Sequence, residues 1–137
     1  MHDFSQYKHI GQAPQMDYYI AESDPDILLV VPQKGMVDTL QTARESADFM
    51  TNYARALGKP FGTLIVMANV ISQEPEARRV YVEMDPRLFF GAALVVDNPL
   101  SRALGSFFIG LTRPRTPTKL FDSVENATEW LKSMRPA

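Results

Sequence analysis

Ala92-Ala93-Leu94-Val95-Val96-Asp97-Asn98-Pro99-Leu100-Ser101-Arg102-Ala103-Leu104 joins a strand to a helix with almost nothing between them. The apolar run from Ala92 to Val96 does not alternate, the habit of a strand buried on both faces in a helix-covered parallel sheet. Asn98-Pro99 starts a helix: the Asn side chain caps free backbone N–H groups, and proline takes the first helical position, where its missing N–H costs nothing. Leu100, Ala103, Leu104, Phe107, Phe108 and Leu111 then keep the helical period until Arg113-Pro114-Arg115-Thr116-Pro117 breaks it.

Downstream, Thr118-Lys119-Leu120-Phe121 reads as a short edge strand, since the proline before it cannot donate to a ladder. Ser123 caps a last helix with Val124, Ala127, Trp130, Leu131 and Met134 inward. Upstream, Thr63–Met67 is a β-branched apolar strand, and Pro75 opens a short helix whose Ala77, Val80, Tyr81 and Met84 face inward until Asp85-Pro86 stops it. A longer helix precedes these. Leu40, Ala43, Ala47, Met50, Ala54 and Leu57 form its apolar stripe, Asp38 its cap, Gln41 the reciprocal position and Gly58-Lys59-Pro60 its end. Tyr18–Glu22 and Ile27–Val31, joined by Ser23-Asp24-Pro25-Asp26, read as an antiparallel hairpin. Residues 1–17 lack a sustained period and include Gly11 and Pro14, which predicts a flexible arm. Helices between strands require crossovers, so the later strands are expected as parallel neighbours. The expectation is an α/β fold in one domain over residues 18–135: a mixed sheet of about five strands, an N-terminal hairpin and about four helices.

Composition narrows the chemistry. The chain has 137 residues, 45% hydrophobic and 22% charged, with formal net charge -2, enough for one hydrophobic core and too little for two. No global positive field draws it to nucleic acid, and no basic–aromatic interleaving points to RNA. The absence of cysteine removes disulfides, thiolate nucleophiles and zinc–thiolate sites. His2 and His9, the only histidines, both lie in the arm, so no histidine general base, metal site or cofactor site is expected inside the domain. Met1–Lys8 lacks the basic-then-apolar order of a secretory signal. The most apolar stretch, Phe89–Leu111, is interrupted by Asp97, Asn98, Pro99 and Arg102, so no integral membrane segment is expected and cytoplasm is the default.

The element order resembles the STAS fold, named for sulfate transporters and anti-sigma factor antagonists, and the C-terminal half resembles its SpoIIAA-like branch. The residues that carry the likeness are Ala93–Leu104, then Phe107-Phe108, Pro117-Thr118-Lys119-Leu120-Phe121 and Glu125-Asn126-Ala127-Thr128-Glu129-Trp130-Leu131. Over residues 89–132 the likeness lies in these motifs, and over 18–88 in topology. It implies a domain that is not an enzyme and that binds partner proteins or small ligands such as nucleotides or lipids. Some members of the family are switched by phosphorylation at an Asp-Ser pair opening the helix after the third strand. Here that stretch reads Ala68-Asn69-Val70-Ile71-Ser72-Gln73-Glu74-Pro75-Glu76, without the pair, and Ser72 offers its only hydroxyl.

Two groups of residues are candidates for function. Asn69, Ser72, Arg78 and Arg79 make a regulatory or binding loop, in which a phosphate on Ser72 would meet a helix N-terminus and two arginines; the plainer role of Ser72 is a cap or loop hydroxyl. Ser101, Gly105 and Ile109, with Ser106 and Gly110, make a low-relief helix face that meets either a second chain or a neighbouring element of its own domain. Asp97 stands at the strand end where open parallel sheets place ligands. Arg102, Arg113 and Arg115, with Lys119, form either a basic rim for an anionic group or an ordinary solvated loop.

Three functions follow from these features. One is a protein-binding module, regulatory and able to form a homodimer. The second is a carrier or sensor of a small amphipathic ligand, which requires a cavity between the helices from Pro75 and Asn98 and the sheet, rich in Met and Phe, with arginines at its mouth. The third is an enzyme working with carboxylates alone, through Asp97, Glu74 and Glu76, and it lacks the usual acid–base pairs.

Overall fold

The structure is a computed structural model that describes residues 4–112 and 114–136, without the side chains of residues 111 and 112. The expectations placed on His2 and Arg113 lie outside the described residues. In chain order the elements are β1 (Lys8–Ala13), β2 (Met16–Ala21), β3 (Asp24–Pro32), β4 (Met36–Asp38), α1 (Leu40–Leu57), β5 (Phe61–Val66), β6 (Val70–Gln73), α2 (Pro75–Glu83), β7 (Phe89–Val95), α3 (Pro99–Thr112), β8 (Thr118–Phe121) and α4 (Val124–Met134).

Among the described residues these strands form a six-stranded sheet in the order β1-β2-β3-β5-β7-β8 and a two-stranded ladder of β4 with β6. β1, β2 and β3 pair antiparallel, whereas β3–β5, β5–β7 and β7–β8 are parallel, each joined through a helix. The chain is therefore the mixed α/β fold that the hydropathy pattern predicts. One sheet face buries Leu28, Val30, Phe61 and Leu94 under α1, α2 and α3. The other buries Ile27, Leu29, Leu64, Val66, Ala93 and Val95 under α4, which contributes Val124, Ala127 and Leu131. Continuous apolar strands divide their alternate side chains between these two cores.

Local chemistry sets the helix ends, with one shift from expectation. Asn98 caps α3 by accepting from Ser101 N at 2.8 Å, and Ser101 Oγ accepts from Asn98 N at 3.2 Å in return. Ser123 caps α4 through Asn126 N, and Gly58 closes α1 at φ 76. The cap of α1, however, is Thr39 and not Asp38, with Thr42 and not Gln41 as its reciprocal partner. A hydroxyl at each of these positions closes both halves of the box, which frees the Asp38 carboxylate for other partners.

Two further stretches differ from expectation. Residues 8–17, read from sequence as arm, hold β1 and the start of β2. Ile10 and Ala13 pack on the core, and Gly11 lies so close beneath Phe49 that a Cβ there would meet the ring at 2.5 Å. Phe49 also stacks on Tyr18 at 3.7 Å. The stretch shows no period because Lys8, His9 and Gln12 of this edge strand face solvent. Residues 70–73, expected as loop, are β6, held to β4 in the register Met36↔Val70, Val37↔Ser72 and Asp38↔Gln73.

Candidate functional site

A cavity of about 100 Å³ lies between the sheet and the three helices on its first face. Its floor is Val30, Thr63, Ile65, Ala92, Leu94 and Thr118, alternate residues of neighbouring strands. Ser46 and Met50 of α1, Tyr81 and Val82 of α2, and Phe108 of α3 form the roof, and Met84, Pro86 and Phe89 continue it. Pro114, Arg115 and Thr116, in the α3–β8 connection, line it near the start of β8. Four of the seven methionines take part: Met16, Met50, Met67 and Met84. Unbranched thioethers reshape at little cost, so such a wall adapts to what enters it. Larger hollows lie elsewhere, of about 310 Å³ beside Gln6, Glu22 and Ser23 and about 410 Å³ beside Arg44, Glu76 and Arg79. Exposed polar or charged side chains edge both of them.

One charged side chain lies deep in the cavity wall. Asp38 is 4% exposed. Its Oδ1 accepts from Thr42 Oγ1 at 2.7 Å and from Tyr81 Oη at 3.1 Å, and its Oδ2 accepts from Gln73 Nε2 at 2.9 Å. One carboxylate thus ties together α1, α2 and β6. Burial pushes the Asp38 carboxyl above its ordinary range, and the hydrogen bonds from Gln73, Thr42 and Tyr81 oppose that rise. The Tyr81 phenol is driven well upward by burial and by the adjacent Asp38. Burial likewise pushes Tyr18 up to about 12. Both phenols stay protonated donors at neutral pH.

The residues singled out by sequence are dispersed. Asn69 is a fastener, donating from Nδ2 to Pro32 O at 2.8 Å. Ser72 is exposed on β6, two residues before the cap of α2. Arg78 donates to Gln73 O at 3.2 Å and stands 4.9 Å above the Phe107 ring, and Arg79 faces outward beside Arg44 and Glu76. Ser101, Gly105 and Ile109 belong to the inner side of α3. Ser101 is 0% exposed, a Cβ on Gly105 would meet Leu120 Cδ2 at 2.8 Å, and Ile109 packs with Leu94 and Val96. These three residues pack inside their own domain, where Ser101 and Gly105 let the helix sit close to the sheet, whereas Ser106 and Gly110 of the same predicted face are exposed. The outer side instead carries Leu100 and Phe107, 47% and 51% exposed. Arg102 pairs with Asp122, and Asp97 lies exposed at the strand end, near Asn98 Nδ2 at 3.5 Å. Of the basic rim, Arg115 lines the cavity. Sequence reasoning missed Asp38, Thr42, Gln73 and Tyr81 as a cluster, since it joins positions up to 43 residues apart.

His9, on the hairpin, bonds Asp17 at 2.9 Å and packs edge-on to Tyr19, away from the cavity. Among the described residues no three His, Cys, Asp or Glu side chains are grouped to hold a metal, and no helix is long and apolar enough to cross a membrane.

A family model described as a domain of unknown function, DUF7793, matches residues 19–135. The chain belongs to the DUF7793 family. No curated protein matches it in sequence. In structure this DUF7793 chain is similar to an uncharacterised protein of the DUF3478 family with a SpoIIAA-like fold from Shewanella loihica PV-4. The two are 12% identical with a TM-score of 0.62, covering 89% of this chain and 98% of that one. It is also similar to an anti-sigma factor antagonist from Mycobacterium paratuberculosis, 15% identical, TM-score 0.56, covering 89% and 99%. At these identities the likeness is one of fold: the DUF7793 domain has the SpoIIAA-like, STAS-type architecture that its C-terminal motifs resemble.

Proposed function

We propose that the chain is a non-catalytic, cytoplasmic STAS-like regulatory module, and that it works by taking a small, largely apolar ligand into the cavity beneath α1, α2 and α3. The cavity carries this reading. Its roof draws Ser46 and Met50 from α1, Tyr81 and Val82 from α2 and Phe108 from α3, it is rich in methionine, and an arginine stands among the residues that line it. Concave, chiefly apolar sites with a few convergent polar groups are where proteins hold small molecules. Non-catalytic fits a chain with no cysteine and with its described histidine on the hairpin, away from this site.

Thermal denaturation with a panel of small apolar compounds tests the reading. A compound that binds the folded state raises the melting temperature by mass action. Ala92→Phe, which fills the cavity floor, abolishes that rise. A rise equal in both proteins places binding elsewhere and overturns the assignment. Trp130 is no reporter for this site, because it packs on Phe121 and against Gly91 in the α4 core, across the sheet.

A second reading is a protein partner, or a second copy of the chain, seated on the outer side of α3. The exposure of Leu100 and Phe107 there favours it, as does the anti-sigma factor antagonist among proteins of similar fold. Leu100→Glu with Phe107→Glu would then abolish association in sedimentation and leave ligand binding intact.

A further inference from the structure

Asp38 puts a negative charge into an apolar wall and gives it only neutral partners. Thr42 and Tyr81 share Oδ1, Gln73 alone reaches Oδ2, and no ion pair forms there among the described residues. An ionised carboxylate accepts about four hydrogen bonds, so Oδ2 retains capacity. Neutral donors satisfy its geometry and leave its charge uncompensated in a medium where charge is costly.

We propose that the cavity selects a small amine, an apolar body whose protonated amino group docks on Asp38 Oδ2. This rests on the cavity being the ligand site. An ammonium brings three protons that each need an acceptor, and Ser46, Tyr81 and Gln73, which line the same cavity, carry oxygens for the others. A carboxylate ligand meets Asp38 as a like charge, and an uncharged one leaves it uncompensated. Arg115 sets little barrier to a cation: it is exposed, its field also acts on the Asp85 carboxylate, and solvent screens it. The volume of about 100 Å³ is smaller than the roughly 150 Å³ that admits benzene, which points to a body of about four heavy atoms.

The test is a titration of the full chain with n-butylamine, n-butanol and butyrate, followed by NMR of labelled methionine methyls. Butylamine is expected to shift the methyls of Met50, Met67 and Met84 and to bind about tenfold tighter than butanol, with butyrate weakest. Asp38→Asn brings the amine down to the affinity of the alcohol, while Glu129→Gln, which removes an exposed carboxylate on α4 across the sheet, preserves the preference. Butanol binding as well as butylamine, butyrate binding best, or a preference that survives in Asp38→Asn overturns the amine assignment and leaves the cavity reading standing. If none of the three moves these methyls, the cavity reading fails and the amine with it. The wild-type series decides the matter alone if Asp38→Asn does not fold.

Discussion

At the scale of the residue, a carboxylate that is 4% exposed beside a methionine-rich wall must cost the fold something, and the cost has a sign that pH reveals. Burial raises the Asp38 carboxyl above the 3.8 of the unfolded chain. Well below that value both states hold the proton. As pH rises from 3.8 through the raised folded value, the unfolded chain releases its proton first, so stability falls across the window and the loss is complete above it. Asp38→Asn has no proton to release and keeps an oxygen for Thr42 and Tyr81. The stability of the variant relative to wild type is therefore expected to climb as pH passes upward through this window. Urea unfolding at intervals from about pH 3 to about pH 7 measures it. A flat difference would mean that Asp38 titrates as freely as in the unfolded chain. Nothing in the local sequence announces this residue. Asp38 resembles a helix cap, and only the long-range pairing of β4 with β6 brings Gln73 to it.

At the scale of the element, the cap of α1 belongs to Thr39 and Thr42. Thr39→Ala is expected to lose about 1 kcal/mol. Thr42→Ala should lose more, about 1–3 kcal/mol, because it also removes a donor from the buried Asp38. Gln41→Ala should stay within about 0.5 kcal/mol of wild type, as surface changes do. Urea unfolding of the three variants checks that order. The main elements were legible because each announces itself within its own length: apolar runs for β3, β5 and β7, Asn98-Pro99 for α3, Ser123 for α4. β4 and β6 span three and four residues, too short for a period, and exist because they pair with each other. β1 was hidden for another reason: its outer residues are polar, and Gly11 signals close approach of Phe49 as well as it signals a loop. The cavity walls were legible in part. Met50, Tyr81, Met84 and Phe108 belong to the apolar stripes read from sequence, whereas Leu100, Ala103 and Phe107 of the α3 stripe face outward and Ser46 and Val82 lie outside those stripes. The polar cluster among the walls was not legible, since periodicity reports which face turns inward and not which side chains meet there.

At the scale of the whole molecule, the C-terminal end of the chain is tied to the start of β3. Arg135 Nε and Nη2 donate to Asp26 at 2.7 and 2.8 Å, and Nη2 also donates to Asp24 at 2.9 Å, closing α4 over the second face of the sheet. Asp26 is 6% exposed, so Arg135→Ala leaves a buried carboxylate short of donors. The expected cost is about 1–3 kcal/mol, read as a lower melting temperature. The Arg135 guanidinium also holds the Asp24 carboxyl below its ordinary 3.8. That contribution is present above 3.8 and is lost as pH falls through the depressed value, so the variant should lose less stability than wild type over that acid range. With α4 pinned on one face, the other face keeps three helices around a space they do not fill. Native mass spectrometry of the chain purified gently from its own cells, beside Ala92→Phe, tests the ligand site most directly. The cavity assignment predicts a reproducible small added mass on wild type that is missing from Ala92→Phe. A bare chain, or a mass carried equally by both, would contradict it.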